Sequence, residues 1–159
     1  MTHHVAVFGA GRIGRIHAGN LAALPGVTLR CVCDPVADSA AQLAQALGAQ
    51  VSTAEAVLAD RRIDAVVIAS PTDTHSDLIH RAAAAGKHIF CEKPVDLSVP
   101  RAIECAAAVE AAGVACMIGF QRRFDPTFAE AQARLVRGEI GAAEMLVVTS
   151  RDPGAPPAH

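Results

Sequence analysis

The sequence predicts an α/β domain with a doubly wound parallel sheet. Short apolar runs typical of strands alternate with alanine-rich segments of helical length. Glycines lie just past several of these segments, at Gly48, Gly86 and Gly113, where helices commonly end. Aromatic residues make up only 3% of the chain and hydrophobic residues 52%, so the core must consist of Ala, Val, Ile and Leu, as between a parallel sheet and its covering helices.

The predicted elements follow one another in alternating order along the chain. Apolar runs bounded by Gly, Pro or Asp predict strands at 5–8, 27–33, 50–52, 65–69, 88–91 and 114–118. Alanine-rich segments between them, with high helix propensity, predict helices at about 12–24, 37–47, 54–60, 74–85, 99–112 and 126–137. A last apolar run at 145–148 is predicted to be a strand, and a proline-rich tail follows it.

The first predicted strand breaks into a G-x-G-x-x-G turn formed by Gly9, Gly11 and Gly14. In such a turn the first glycine permits a tight bend, the second lets backbone amides approach a pyrophosphate, and the third lets helix and strand pack closely. The helix that follows offers unpaired N–H groups to the phosphates, which adds Arg12 and Ile13 to the expected site. The pattern predicts a Rossmann fold that binds a dinucleotide, and a glycine-rich turn of purely structural use is the alternative.

Asp34 lies at the end of the second predicted strand, about 20 positions after Gly14, where an acid that binds ribose is expected. Its carboxylate can accept hydrogen bonds from ribose hydroxyls, and it would repel a 2′-phosphate. Residues 35–39 contain no Arg or Lys to receive such a phosphate, although Arg30 could reach it from upstream. NAD is therefore favoured over NADP, and the alternative for Asp34 is a turn residue before Pro35.

Length, charge and cysteine usage narrow the class of protein. A chain of 159 residues suits one domain of typical size, and its net charge of −2 disfavours nucleic-acid binding. Five cysteines without C-x-x-C spacing are expected to be buried thiols of a reducing compartment, and the scattered histidines predict no metal site. The sequence has no apolar stretch of membrane-spanning length and no signal-peptide pattern, so we expect a cytoplasmic protein with no membrane partner.

Polar loops follow three later strands, at 70–75, 92–94 and 119–126. Because ligands of open α/β sheets lie outside the carboxyl ends of the strands, these loops are candidate parts of the site. Glu92 and Lys93 form a charged pair that could orient a substrate hydroxyl and handle its proton. His75 begins a helix, where Thr74 and Asp77 allow a capping-box-like arrangement as the alternative to a cofactor contact.

The N-terminal fingerprint, the 70–75 loop, Glu92-Lys93-Pro94 and the 119–126 block together resemble the glucose–fructose oxidoreductase/inositol dehydrogenase/MocA family. The last block, taken with residues 149–153, is most similar to the inositol 2-dehydrogenase branch. The resemblance spans nearly the whole chain.

The resemblance implies roles for individual residues. Lys93 is expected to be catalytic, beside the nicotinamide and the substrate hydroxyl, with a cis peptide bond between Lys93 and Pro94. A solvated charge on a loop is the alternative for Lys93, and Arg122 is expected to be at most a surface charge. Cofactor contacts are implied for Ser70, Pro71, Thr72, His75, Glu92, Gln121 and Arg123.

The resemblance also implies the reaction and the partners. The family transfers a hydride between a secondary alcohol of a cyclitol or sugar, such as a myo-inositol-like polyol, and NAD. Its members carry a second α/β domain that supplies an Asp and a His to the active site and forms the usual homo-oligomer surface. We therefore expect this chain alone to lack turnover. A stand-alone NAD-binding module and an NADP-linked sugar reductase are the alternatives.

The expected domain division follows from the same resemblance. Residues 1–125 are expected to form the dinucleotide-binding domain, and residues 126–159 a connecting helix and the first strand of the second domain. An uncovered apolar edge strand invites association, so the strand at 144–151 is expected to be poorly ordered or paired with a neighbouring molecule.

Overall fold

The structure is a computed structural model and describes residues 2–149 and 151. Six parallel strands form one sheet in the order β3-β2-β1-β4-β5-β6. The strands are β1 (His3–Phe8), β2 (Val27–Cys33), β3 (Gln50–Val51), β4 (Ala65–Ile68), β5 (His88–Cys91) and β6 (Cys116–Ile118). The helices are α1 (Arg12–Ala23), α2 (Ala37–Leu47), α3 (Ala54–Ala59), α4 (His75–Ala84), α5 (Val99–Ala112) and α6 (Pro126–Val136), with 3₁₀ turns at Thr72–Thr74 and Gln121–Phe124. This architecture confirms the predicted doubly wound α/β fold.

The strand order reverses between β1 and β4, which pair directly with each other. Phe8 at the end of β1 lies opposite both Cys33 of β2 and Ile68 of β4, so the three strands end at the same level. In open α/β sheets such a switch point creates the crevice in which a ligand lies. The topology therefore brings the first glycine loop, Asp34 and the loop after β4 to one edge of the sheet.

Each face of the sheet carries its own hydrophobic core, because neighbouring residues of a strand point to opposite faces. Ala6 and Phe8 of β1 pack in one core, whereas Val5 and Val7 pack in the other. Ala18 of α1 is fully buried against the second core, where the small side chain lets the helix lie close to the sheet. Aliphatic side chains dominate both cores, as predicted, and four of the five cysteines are buried in the described structure.

One predicted element is wrong. Residues 145–148 belong to the described stretch but form no strand, and their side chains are between 71% and 85% exposed. A strand is stable only when neighbouring strands or a packed face support it, and apolar sequence alone does not supply that support. Residue 150 and the tail at 152–159 lie outside the described residues, so the predicted order and pairing of the 144–151 strand stay a prediction.

The described chain divides into two compact units, one ending at Phe120 and one beginning at Gln121. The first unit holds the whole sheet with α1 to α5, and the second holds α6. Asp125 caps α6 by accepting a hydrogen bond from the Thr127 N–H at 2.9 Å. Pro126 occupies the first turn of the helix, where an N–H would have no partner within the helix, so proline costs no hydrogen bond there. The division predicted from the sequence, at 125/126, stays a prediction. In the part of the chain that the structure describes, no helix has the length and hydrophobicity of a membrane span.

Candidate dinucleotide site

The three glycines of the first loop are required for different geometric reasons. Gly9 has a φ of 103°, and a Cβ there would lie 2.5 Å from the Ala69 carbonyl oxygen. A Cβ on Gly14 would overlap the carbonyl oxygen of Gly9, whereas a Cβ on Gly11 would meet nothing within 4 Å. The loop is therefore tight against β4 and α1 but open at Gly11, where a ligand can approach the backbone.

Helix α1 begins directly after this opening, with Gly11 as its N-cap residue. Gly11 has no side-chain oxygen, and the first turn of α1, described in full, holds no acidic side chain. The first hydrogen bond of the helix runs from the Arg15 N–H to the Gly11 carbonyl at 2.9 Å, so the N–H groups of Arg12, Ile13 and Gly14 precede the helical ladder. Free donors at the positive end of a helix fit an anionic pyrophosphate.

Asp34 connects the glycine loop to the end of β2. Its Oδ2 accepts a hydrogen bond from the Ala10 N–H at 2.6 Å, and its Oδ1 accepts one from the Val36 N–H at 2.8 Å. The second of these bonds is the turn role considered as the alternative, and the first places the carboxylate beside the glycine loop. A carboxylate has about four acceptor positions, so capacity for ribose hydroxyls remains.

Arg30, which could have received a 2′-phosphate, lies near Asp60 instead. Its charge, together with the larger effect of hydrogen bonds from Arg62, lowers the pKa of the Asp60 carboxyl. Asp60 ends α3 and precedes β4, at the opposite edge of the sheet from Asp34. Arg30 is not among the residues that line the cleft beside the glycine loop.

A cleft of ≈ 540 Å³ opens beside the glycine loop, within the usual size range of small-molecule sites. Arg81 is the one Lys or Arg among its lining residues, and its guanidinium lies 2.7 Å from Glu55 and 3.6 Å from Asp77. Because carboxylates outnumber cations here, the cleft favours a ribose with free hydroxyls over one carrying a 2′-phosphate. The lining residues are Phe8, Gly9, Cys33, Asp34, Pro35, Ser52, Thr53, Ala54, Ser70, Pro71, Asp73, Thr74, Asp77, Leu78 and Arg81.

The turn after β5 carries the predicted catalytic lysine. The Lys93–Pro94 peptide bond is cis, as predicted, and Lys93 is exposed. The Glu92 carboxylate accepts a hydrogen bond from its neighbour, the Lys93 N–H, at 3.2 Å. Gly119, directly after β6, leaves room for this carboxylate, since a Cβ there would lie 3.1 Å from Glu92 Oε1.

His75 is buried at the start of α4 and joins two candidate loops. Its Nδ1 lies 2.8 Å from the Pro94 carbonyl oxygen, and its Nε2 lies 2.9 Å from the Ser70 carbonyl oxygen. The capping-box alternative is wrong, because the Thr74 hydroxyl instead donates to the Pro71 carbonyl at 2.7 Å and lies 2.6 Å from Ser70 Oγ. Because both ring nitrogens lie within hydrogen-bond distance of backbone carbonyl oxygens and only 2% of the residue is exposed, this geometry supports a role for His75 in holding loops together.

Sequence reasoning missed His17 of α1. Its Nε2 lies 2.8 Å from Glu92 Oε1, and its ring centroid lies 5.0 Å from that of Phe90 on β5. His17 follows Gly14 by three positions, a spacing that puts both residues on one face of a helix. That spacing from a glycine packed on the sheet was the available signal.

Gln121 and Arg123 lie in the 3₁₀ turn of the second unit and are exposed. Arg122, expected to be at most a surface charge, lies 5.2 Å from the centroid of the Phe128 ring and 3.8 Å from Asp125 Oδ2. Gln121 and Arg123 stay predicted cofactor residues. Within residues 2–149 and 151, no group of three or more His, Cys, Asp or Glu side chains is arranged to hold a metal ion.

The glycine loop, the free helix N-terminus and the acid at the end of β2 define a nucleotide-binding domain of the Rossmann class. A family described as "Oxidoreductase family, NAD-binding Rossmann fold" (GFO_IDH_MocA) matches residues 3–120. The chain belongs to this family, and its cofactor is NAD.

Two similar proteins, each 46% identical to this chain, are inositol dehydrogenases. The chain is 46% identical over 157 residues to inositol 2-dehydrogenase of Rhizobium meliloti (strain 1021), covering 99% of this chain and 48% of the relative. It is 46% identical over 164 residues to scyllo-inositol 2-dehydrogenase (NAD(+)) of Bacillus subtilis (strain 168), covering 100% of this chain and 48% of the relative.

A solved structure shows the same fold with its ligands. Scyllo-inositol dehydrogenase from Lactobacillus casei, with bound cofactor NAD(H) and scyllo-inositol, superposes with a TM-score of 0.83 at 30% identity, covering 89% of this chain and 43% of that one. The chain spans about half the length of the curated relatives it matches.

Proposed function

We propose that this chain holds NAD for an oxidoreductase that moves a hydride between NAD and a secondary alcohol of a cyclitol or sugar. The observation that carries the proposal is the hydrogen bond from the Ala10 N–H to Asp34 Oδ2 at 2.6 Å. It brings the predicted ribose-binding acid against the predicted pyrophosphate loop, as one dinucleotide requires. The proposed inositol-like substrate class is supported by the inositol and scyllo-inositol dehydrogenases to which the chain is 46% identical.

The residues divide along the length of the dinucleotide. In this proposal the ribose hydroxyls donate to Asp34, and the nicotinamide lies near Ser70, Pro71, Thr72 and Glu92. The pyrophosphate is bound by Gly9, Gly11, Arg12, Ile13 and Gly14. Gln121 and Arg123 are kept as proposed cofactor-binding residues.

Lys93 is proposed to act on the reacting hydroxyl. NAD supplies the hydride chemistry, and the protein supplies position and proton transfer. Lys93 is exposed at the carboxyl edge of the sheet, and its backbone N–H donates to the Glu92 carboxylate. From this turn its side chain is proposed to hold or accept the proton of the substrate oxygen.

The wider setting belongs to the same proposal. Residues 126–159 connect the first domain to a substrate-binding domain like that of longer relatives, and the protein assembles as a cytoplasmic homo-oligomer through it. This chain by itself is proposed to bind NAD without turnover, since the second domain supplies the residues that complete the active site.

Calorimetric titration with NAD, together with an assay of NADH formation from myo-inositol and scyllo-inositol, tests the proposal on this chain. We expect saturable NAD binding and no NADH. Absence of NAD binding would contradict the proposed function. NADH formation would contradict only the claim that a further domain is required.

Asp34→Ser tests the cofactor preference. Loss of a charged acceptor of ribose hydrogen bonds is expected to lower NAD affinity roughly tenfold, while removal of the negative charge raises NADP affinity relative to NAD. The control is Asp38→Ser, an exposed carboxylate in the first turn of α2, which should leave both affinities unchanged. An unchanged ratio of the two affinities in Asp34→Ser would remove Asp34 from its assigned role.

A further inference from the structure

The turn that carries Lys93 is held from both sides by histidines of two different helices. Glu92, before the lysine, is 2.8 Å from His17 Nε2 of α1, and the carbonyl of Pro94, after it, is 2.8 Å from His75 Nδ1 of α4. His17 reaches this turn from the helix whose first residues are proposed to bind the pyrophosphate.

We propose that His17 is a positioning residue that fixes the Lys93 turn relative to the pyrophosphate-binding helix. The proposal rests on the proposed function and adds a physical connection between the two ends of the cofactor. Pyrophosphate position is set by the first turn of α1, and nicotinamide position by the loops after β4 and β5. A contact from α1 to Glu92 therefore keeps these two positions in register.

The chemistry of the two groups decides which one donates the hydrogen bond between His17 and Glu92. An ionised carboxylate only accepts hydrogen bonds, so His17 donates from Nε2 to Glu92 Oε1. The other carboxylate oxygen, Oε2, accepts the Lys93 N–H at 3.2 Å. Glu92 thus passes the constraint from His17 directly to the backbone of Lys93.

Packing around the pair restricts its movement. The two side chains are only 22% and 20% exposed, and the His17 ring lies against Phe90 on one side. A Cβ on Gly119 would lie 3.1 Å from both Glu92 Oε1 and the Phe90 ring, so the glycine leaves just enough space for this arrangement. A hydrogen bond shielded in this way loses less of its strength to water than an exposed one.

The test compares NAD with ADP-ribose, which lacks the nicotinamide, as calorimetric probes of this chain. His17→Phe keeps an aromatic ring against Phe90 but removes the donor, and His17→Gln keeps an N–H donor. We expect His17→Phe to bind NAD about fivefold more weakly with unchanged ADP-ribose affinity, and His17→Gln to recover most of the loss. His3→Phe, an exposed change at the opposite end of the sheet, is the matched control.

If His17 acted in packing alone, His17→Phe would change the affinities for NAD and ADP-ribose to the same extent. Equal loss of both affinities, or no loss of either, in a folded His17→Phe variant would overturn the proposal. If that variant fails to fold, His17→Leu, which also removes the donor, is expected to give the same separation, and its absence would equally overturn the proposal. Failure of the unchanged chain to bind NAD would instead overturn the proposed function itself.

Discussion

The two halves of the candidate site consist of different chemical groups, backbone in one half and side chains in the other. The pyrophosphate half consists of backbone, with glycines where a Cβ would overlap neighbouring chain and with free N–H groups at the start of α1. The nicotinamide half depends on side chains that reach across the fold: His17 and Glu92 are 75 positions apart, and His75 and Pro94 are 19 apart. The first half is therefore sensitive to added atoms, and the second to removed hydrogen bonds.

The largest expected effect is that of Gly14→Ala. The new Cβ would overlap the Gly9 carbonyl, so helix and loop must separate, and we expect a loss of about 3 kcal/mol or more in the free energy of unfolding. Gly11→Ala is the matched control, because its Cβ meets nothing within 4 Å and should cost about 1 kcal/mol or less. Urea unfolding measures both, and equal losses in the two variants would contradict the backbone description of this half.

This contrast also explains what the sequence could predict. Gly9 and Gly14 mark positions where a side chain does not fit, and Asp34 follows them at the expected spacing. This half of the site was therefore visible in the sequence, as were the six strands of the sheet. The spacing from Gly14 puts His17 on the same face of α1, but its contact with Glu92 depends on how elements 75 positions apart pack together. The strand expected at 145–148 was wrong for the same reason, since the apolar pattern does not show whether a neighbouring strand is present.

Removal of a buried hydrogen-bonding group tests the other half. His75→Leu removes the ring nitrogens that lie within hydrogen-bond distance of the Ser70 and Pro94 carbonyl oxygens, and we expect a loss of about 2–4 kcal/mol in the free energy of unfolding. His75→Gln, which retains a donor, should recover part of this loss. A change below about 0.5 kcal/mol in urea unfolding of His75→Leu would show that these contacts do not hold the loops.

Cys33 ends β2, directly before Asp34, and Cys91 ends β5, directly before Glu92. The two thiols therefore report how well each half of the site is shielded from water. Burial raises the pKa of each thiol from 9.0 to about 12. Above pH 9 the unfolded chain releases thiol protons that the folded chain retains, so stability falls as pH rises, by about 1.4 kcal/mol per pH unit for each thiol.

Variants of these cysteines isolate that effect. Cys33→Ala and Cys91→Ala should each reduce the fall in unfolding free energy between about pH 9 and pH 10.5 by roughly 1.5 kcal/mol. Equal reductions would show that water is excluded from the Cys33 and Cys91 thiols to the same extent. A reduction in only one variant would mean that water reaches the thiol of the other cysteine.

The most direct test of the account is a titration of the isotope-labelled chain, followed by the backbone amide resonances. If one dinucleotide spans both halves, NAD should shift the resonances of Gly11 and Ile13 together with that of Lys93 at a single dissociation constant, while His3 at the far edge stays unchanged. ADP-ribose should shift Gly11 and Ile13 but leave Lys93 nearly in place. Saturation with NAD that leaves the Gly11 and Ile13 resonances unmoved would contradict the central claim.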